Sequence, residues 1–265
     1  MLFTILTIIA MLISTLGFVL GVYRTVKRTI LAFCGILAAL ILLWVVSCFV
    51  VTRFIDMDKE YLDYSKFYWW FTYSVIQFAI IIFGTKLKVS GKDFLPKEKF
   101  MLVCNHRSIV DPLITMGALK EHRLSFIARK EVYWIPIISK LMHRCQCFCL
   151  DRDDMKESAK TIRKASRWIK ADNGSIGVFP EGTRNREEEM LPFMNGAFKI
   201  AKKANCPIVV ATLKNTEKVA KRAPFRSTTV YLDIVGVLDK EFVAENNTAH
   251  ISDTARAMME KSLCN

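Results

Sequence analysis

Two short clusters carry the side chains that could do chemistry. The first is Asn105-His106-Arg107-Ser108-Ile109-Val110-Asp111. A neutral imidazole can take a proton from a hydroxyl near neutral pH, and a carboxylate on its other ring nitrogen fixes which nitrogen is free. The ordinary reading is that Asn105 or Asp111 caps a helix and His106 lies on the surface. The second cluster is Phe179-Pro180-Glu181-Gly182-Thr183-Arg184. Pro180 stops a strand, Gly182 lets backbone approach a ligand closely, Thr183 offers a hydroxyl and Arg184 a planar fork of donors. That equipment suits a phosphate. Its ordinary reading is a turn with a surface ion pair between Glu181 and Arg184.

Both clusters leave short apolar runs, Phe100–Cys104 and Ile176–Phe179, each with the length of a buried strand. Pro112 suits the first turn of a helix. Ligands in α/β folds gather at such strand exits. Strand-like and helical patterns alternate from Lys86 onward. Strands are predicted at 86–89, 100–104, 125–128, 148–150, 176–179, 208–213 and 230–237. Helices are predicted at 112–120, 131–142, 155–171, 197–203 and 251–263. The fold class is α/β, with a largely parallel core sheet.

Membrane-embedded helices precede that domain. Met1 to Tyr23 and Thr29 to Thr52 carry no charged side chain, and each is long enough for a bilayer core of about 20 residues. A cleavable signal peptide fits poorly, because no basic residue precedes the first run and no small-residue cleavage site follows it. A third apolar run, Phe67 to Thr85, opens on an aromatic cluster. It reads either as a third crossing or as a segment lying in the interface plane. The predicted division is 1–85 for membrane-anchoring helices and 86–265 for the α/β domain.

The formal net charge of +13 is uneven. Residues 1–83 hold six Lys and Arg against four Asp and Glu, leaving 32 against 21 for the rest of the chain. The positive-inside rule puts Arg24, Lys27 and Arg28 in the cytosol, and three crossings then put the basic domain there too. An integral protein of the cell membrane with a cytosol-facing domain is expected. The apolar N-terminal third disfavours nucleic acid as the partner of this charge. The basic helix 155–171 could rest on anionic lipid, meet a coenzyme's phosphates, or simply be solvated.

Together the two clusters resemble the glycerophospholipid acyltransferase family, and within it the 1-acylglycerol-3-phosphate acyltransferases. The family's first motif is Asn-His, four variable residues and Asp, here Asn105-His106 to Asp111; its third is Phe-Pro-Glu-Gly-Thr-Arg, here residues 179–184 intact. The second ends in a hydrophobic-Asp-Arg step, here Leu150-Asp151-Arg152, with Gln146 where Gly is frequent. The fourth is a Pro-containing strand, here Cys206 to Val210, with Val210 in place of a second Pro. Met194 stands where many relatives have Lys. The resemblance runs from about Leu87 to Thr216.

The resemblance implies that His106 is the general base and Asp111 its orienting partner. Glu181, Gly182, Thr183 and Arg184 would bind the acceptor, with Arg184 near its phosphate and Arg152 a second phosphate ligand. The implied reaction moves an acyl group from acyl-CoA or acyl-carrier protein to lysophosphatidic acid, giving phosphatidic acid. It needs no acyl-enzyme, metal or other cofactor. Glycerol-3-phosphate or another lysophospholipid is an alternative acceptor. A non-catalytic protein that binds anionic lipid is the alternative of a different class. The eight cysteines include Cys145, Cys147 and Cys149, whose strand spacing of about 6.6 Å suits packing better than a tetrahedral metal.

Overall fold

The computed structural model describes residues 2–61, 63–129, 136–150, 154–185, 187 and 189–264. It divides into two compact units, residues 1–59 and 60–265. The first is a pair of helices, Leu2–Val19 (α1) and Val26–Arg53 (α2). Thr25 opens α2, its hydroxyl accepting from the Arg28 amide. Phe3 meets Trp44 edge to face, with ring centroids 5.1 Å apart. Both helices are long and apolar enough to cross a membrane, and most of their large apolar side chains are exposed rather than packed in protein.

The second unit opens with Lys66–Ile82 (α3) and Thr85–Ser90 (β1). Then come Met101–Cys104 (β2), Asp111–Ala118 (α4), Ser125–Arg129 (β3), Pro136–Arg144 (α5), Phe148–Leu150 (β4), Met155–Lys170 (α6) and Ile176–Val178 (β5). Lys199–Ala204 (α7), Ile208–Lys214 (β6), Thr216–Arg222 (α8), Thr228–Leu238 (β7), Lys240–Glu245 (α9) and Thr248–Cys264 (α10) complete it. The seven strands form one sheet in the order β1-β7-β6-β2-β5-β3-β4. From β6 to β4 every neighbouring pair is parallel; β7 runs antiparallel to β6 and parallel to β1. The largely parallel core is therefore as predicted, with a reversed pair at one edge.

Burial follows sequence pattern. Every residue of β2 is buried, as a central parallel strand covered on both faces requires, whereas β7 alternates buried and half-buried residues like a strand with one covered face. In the register of β2 against β5, Val103 lies opposite Val178. Residues 105 and 179 therefore leave the sheet side by side, although 74 positions apart in the chain.

α3 falls in the second compact unit, which begins at residue 60. It has 17 residues, a length of about 26 Å at 1.5 Å per residue. Trp69 and Ile76 on one face are at most 2% exposed and pack into the core of the α/β unit. Gly117 of α4 permits that approach: a Cβ there would lie 3.0 Å from Ile80 Cδ1. The Thr72 hydroxyl meets Cys145 Sγ, and Tyr73 donates to the Lys120 carbonyl. The chain before α3 is fastened too. Tyr61 and Tyr68 both take the Arg144 guanidinium on their ring faces, and Tyr64 takes that of Arg123. An uncharged run says only that water is excluded; here protein excludes it from one face. The other face leaves Phe67, Trp70, Ile81 and Ile82 exposed.

Of the helix predicted at 131–142, residues 131–135 lie outside the described residues. After α5, Gln146 takes a left-handed φ of 56°, a conformation glycine adopts at little cost. That is the position at which the resembling family often carries Gly.

Candidate active site

β2 releases the chain at Cys104, and Asn105 fixes its direction. The Asn105 side chain donates to the Leu213 carbonyl (3.0 Å) and accepts from the Leu213 amide (2.7 Å). It thus bonds to β6 as a backbone unit would. The next five residues fold around one oxygen. Asp111 Oδ2 accepts from His106 Nδ1 at 2.8 Å and from the backbone amides of Arg107 and Ser108, each at 2.7 Å. Asp111 is fully buried in the first turn of α4, where a carboxylate is favoured by the helix dipole.

A carboxylate that accepts two backbone amides and an imidazole has no proton to give, so Nδ1 carries the imidazole hydrogen. Nε2 is left with a free lone pair and has no hydrogen-bond partner among the described residues. The ring is held from its face as well. It stacks on Phe179 at 4.3 Å, and Phe179 stacks on Phe126 at 5.1 Å. Gly177 makes room for this column, since a Cβ there would fall 2.3 Å from the Phe126 ring. Nothing in the local sequence pattern of Phe126 and Gly177 marks them as support for the site.

The second turn is tied to the first by Glu181. One carboxylate oxygen accepts from the His106 amide (2.8 Å) and the other from the Leu191 amide (3.1 Å). At 5% exposure, with both oxygens occupied, Glu181 links the two turns. Gly182 turns the chain at φ 73°, a conformation that disfavours a side chain. Asn185 returns the backbone to the first turn, its amide donating to the His106 carbonyl at 2.7 Å. Thr183 and Arg184, between these anchors, are exposed. Arg152 lies outside the described residues.

The residues that follow His106, Arg107 to Ile109, line a cleft of about 150 Å³ together with Arg184 from the second turn and Glu217, Ala220 and Lys221 from α8. Arg107 Nε donates to Glu217 Oε2 at 3.1 Å, and its Nη1 to the Glu187 carbonyl at 3.2 Å. A base with an open nitrogen, one residue along the chain from a cationic cleft, is suited to deprotonating a hydroxyl on a molecule that also carries a phosphate. Among the described residues no group of His, Cys, Asp and Glu could hold a metal ion.

Residues 86–214 match the family model described as Acyltransferase. A 1-acyl-sn-glycerol-3-phosphate acyltransferase of Saccharomyces cerevisiae is 27% identical over 69% of this chain, and the match takes in 61% of the yeast protein's own length. The Haemophilus influenzae protein of the same name is 29% identical over 69% of this chain and 76% of its own. The crystal structure of the 1-acyl-sn-glycerophosphate acyltransferase of Thermotoga maritima superposes with a TM-score of 0.61 at 20% identity, covering 74% of this chain and 79% of that one, and so shares the fold. Both strand-exit turns fall inside residues 86–214, the stretch that is similar to the Acyltransferase family model.

Proposed function

We propose that this protein is a membrane-associated 1-acylglycerol-3-phosphate O-acyltransferase. It transfers an acyl group from acyl-CoA or acyl-carrier protein to lysophosphatidic acid, forming phosphatidic acid. The observation that carries the reading is the His106–Asp111 pair, bonded through Nδ1 at 2.8 Å, with the next residue, Arg107, lining a cleft that also holds Arg184.

His106 Nε2 takes the proton of the acceptor's free hydroxyl as its oxygen attacks the thioester carbonyl. The C–O bond forms, a tetrahedral intermediate collapses, and the C–S bond breaks. The imidazolium returns its proton to the departing thiolate. Asp111 keeps the ring in the reactive tautomer and stabilises the imidazolium. No side chain is acylated, and much of the rate comes from holding two substrates together. Arg184, with Arg152 and the Thr183 hydroxyl, binds the acceptor's phosphate, while Gly182 allows the backbone to come close. Glu181 acts through the backbone as a positioning residue.

α1 and α2 bring the domain to the lipid that holds its acceptor. Acyl-CoA and acyl-carrier protein are soluble cytosolic molecules, so the domain works at the cytosolic face of the membrane.

The test is acyl transfer by the detergent-purified full chain with lysophosphatidic acid and each donor, alongside His106→Ala. Phosphatidic acid from wild type but not from the variant is expected. A folded wild type inactive with both donors, but active on glycerol-3-phosphate or another lysophospholipid, would move the acceptor. Lipid binding without turnover across the whole acceptor panel would leave an anionic-lipid-binding protein.

A further inference from the structure

α8 begins at Thr216, beyond residue 214 where the family match ends, and nothing in the four motifs accounts for it. Thr216 and Val219 are fully buried and seat the helix. Glu217, Ala220 and Lys221, at helical spacings of three and four, share another face, and all three line the cleft that Arg107 enters. That face adds two charges of opposite sign. Glu217 holds Arg107 by the 3.1 Å bond to Nε, with both side chains about one-fifth exposed. The Arg107 amide meanwhile donates to Asp111, so its backbone is fixed by the catalytic turn and its guanidinium by α8. Lys221 brings an ammonium to the same cleft.

With Arg107, Arg184 and Lys221 against the single carboxylate of Glu217, the cleft has a formal charge of +2. A phosphate monoester carries between −1.5 and −2 near pH 7, and a phosphodiester only −1. Without Lys221 the sum falls to +1, which suits a monoanion.

We propose that α8 selects the acceptor's headgroup: Lys221 is a specificity-determining residue for a phosphate monoester, and Glu217 is a positioning residue that sets the Arg107 guanidinium. This deepens the acyltransferase reading and rests on it. The neighbouring Arg184 cannot make the selection alone, because one guanidinium binds mono- and diesters alike.

The experiment uses the full chain in detergent with saturating donor, comparing lysophosphatidic acid with lysophosphatidylglycerol, a diester. Lys221→Ala should raise KM for lysophosphatidic acid about tenfold, with the loss in KM rather than kcat, as for one charge-assisted contact. Lys221→Arg should recover most of it. The preference for monoester over diester, read as the ratio of kcat/KM values, should narrow by a similar factor in Lys221→Ala. Glu217→Gln should raise KM for lysophosphatidic acid severalfold with an unchanged thermal midpoint. A KM within twofold of wild type in Lys221→Ala, or an unchanged monoester-to-diester ratio, overturns the inference while leaving the acyltransferase reading standing. If wild type transfers no acyl group to either lipid, that reading fails first. Calorimetric binding of glycerol-3-phosphate then decides the inference separately. Weaker binding by Lys221→Ala than by wild type supports the monoester cleft, and equal binding, or none by wild type, overturns it.

Discussion

The turn that follows β2 and the cleft beside it are neighbours sharing Arg107, yet they are held in different ways. In the turn, Asp111 is fully buried and one of its oxygens takes three donors. Asn105 is locked to Leu213, and His106 is stacked on Phe179. In the cleft, Arg184 and Lys221 are exposed, and only Arg107 is pinned, by Glu217. Proton transfer needs heavy atoms at hydrogen-bond distance in one alignment, so its residues are over-determined by backbone donors. A phosphate has several oxygens and no single direction of approach, so flexible cations suffice. The contrast predicts that substitutions in the turn cost kcat, and substitutions in the cleft cost KM.

The strongest way to break the contrast is at the base. His106→Ala should lower kcat by about 10²–10⁴-fold with the fold retained, as the loss of a general base does. Asp111→Asn should fall in the same range, since an amide can impose the wrong tautomer on the ring. Steady-state kinetics of both variants check this, and a pure KM effect in either would erase the distinction between the regions.

Glu181→Gln sharpens it from the link between the turns. Removing the charge weakens two buried amide contacts, at a cost of about 1–3 kcal/mol in stability. It should lower the thermal midpoint by several degrees and reduce kcat, without the tenfold rise in KM expected at the rim. Arg184→Ala is the converse. It should raise KM for a phosphate-bearing acceptor about tenfold or more and leave the midpoint where it was, because the side chain is exposed.

Two smaller effects mark the body against which both regions are built. Gln146→Gly relieves a left-handed φ of 56° and should stabilise the fold by up to about 1 kcal/mol, read as a small rise in midpoint. The core thiols should be inert. Burial raises Cys147 to about 11 and Cys145 and Cys206 to about 12. At pH 8 their thiolate fraction is then about one in a thousand or less, and a maleimide should label exposed Cys264 while these three react only in denaturant. The same shifts carry a sign for stability. A thiol whose folded pKa lies above 9 holds its proton more tightly in the native state. Its contribution is complete below pH 9 and is lost as pH climbs through 11 to 12, so the midpoint should fall in alkali.

The sequence by itself determined the strand–helix alternation, the largely parallel sheet and the two strand-exit turns. Each of these is written in local periodicity or in residues a few positions apart. It also determined that His106 and Asp111 could pair, because five residues of tight turn suffice to bring them together. Tertiary structure alone decided three further matters. Whether protein or lipid covers the uncharged run 67–85 depends on Gly117, Cys145 and Arg144, none of which that run contains. Glu181 is legible as a charge beside Arg184, but its burial follows from amides at residues 106 and 191. The Arg107–Glu217 pair joins residues 110 positions apart. Local pattern fixes which way a side chain points from its own element, and only the packing of one element on another fixes what it meets there.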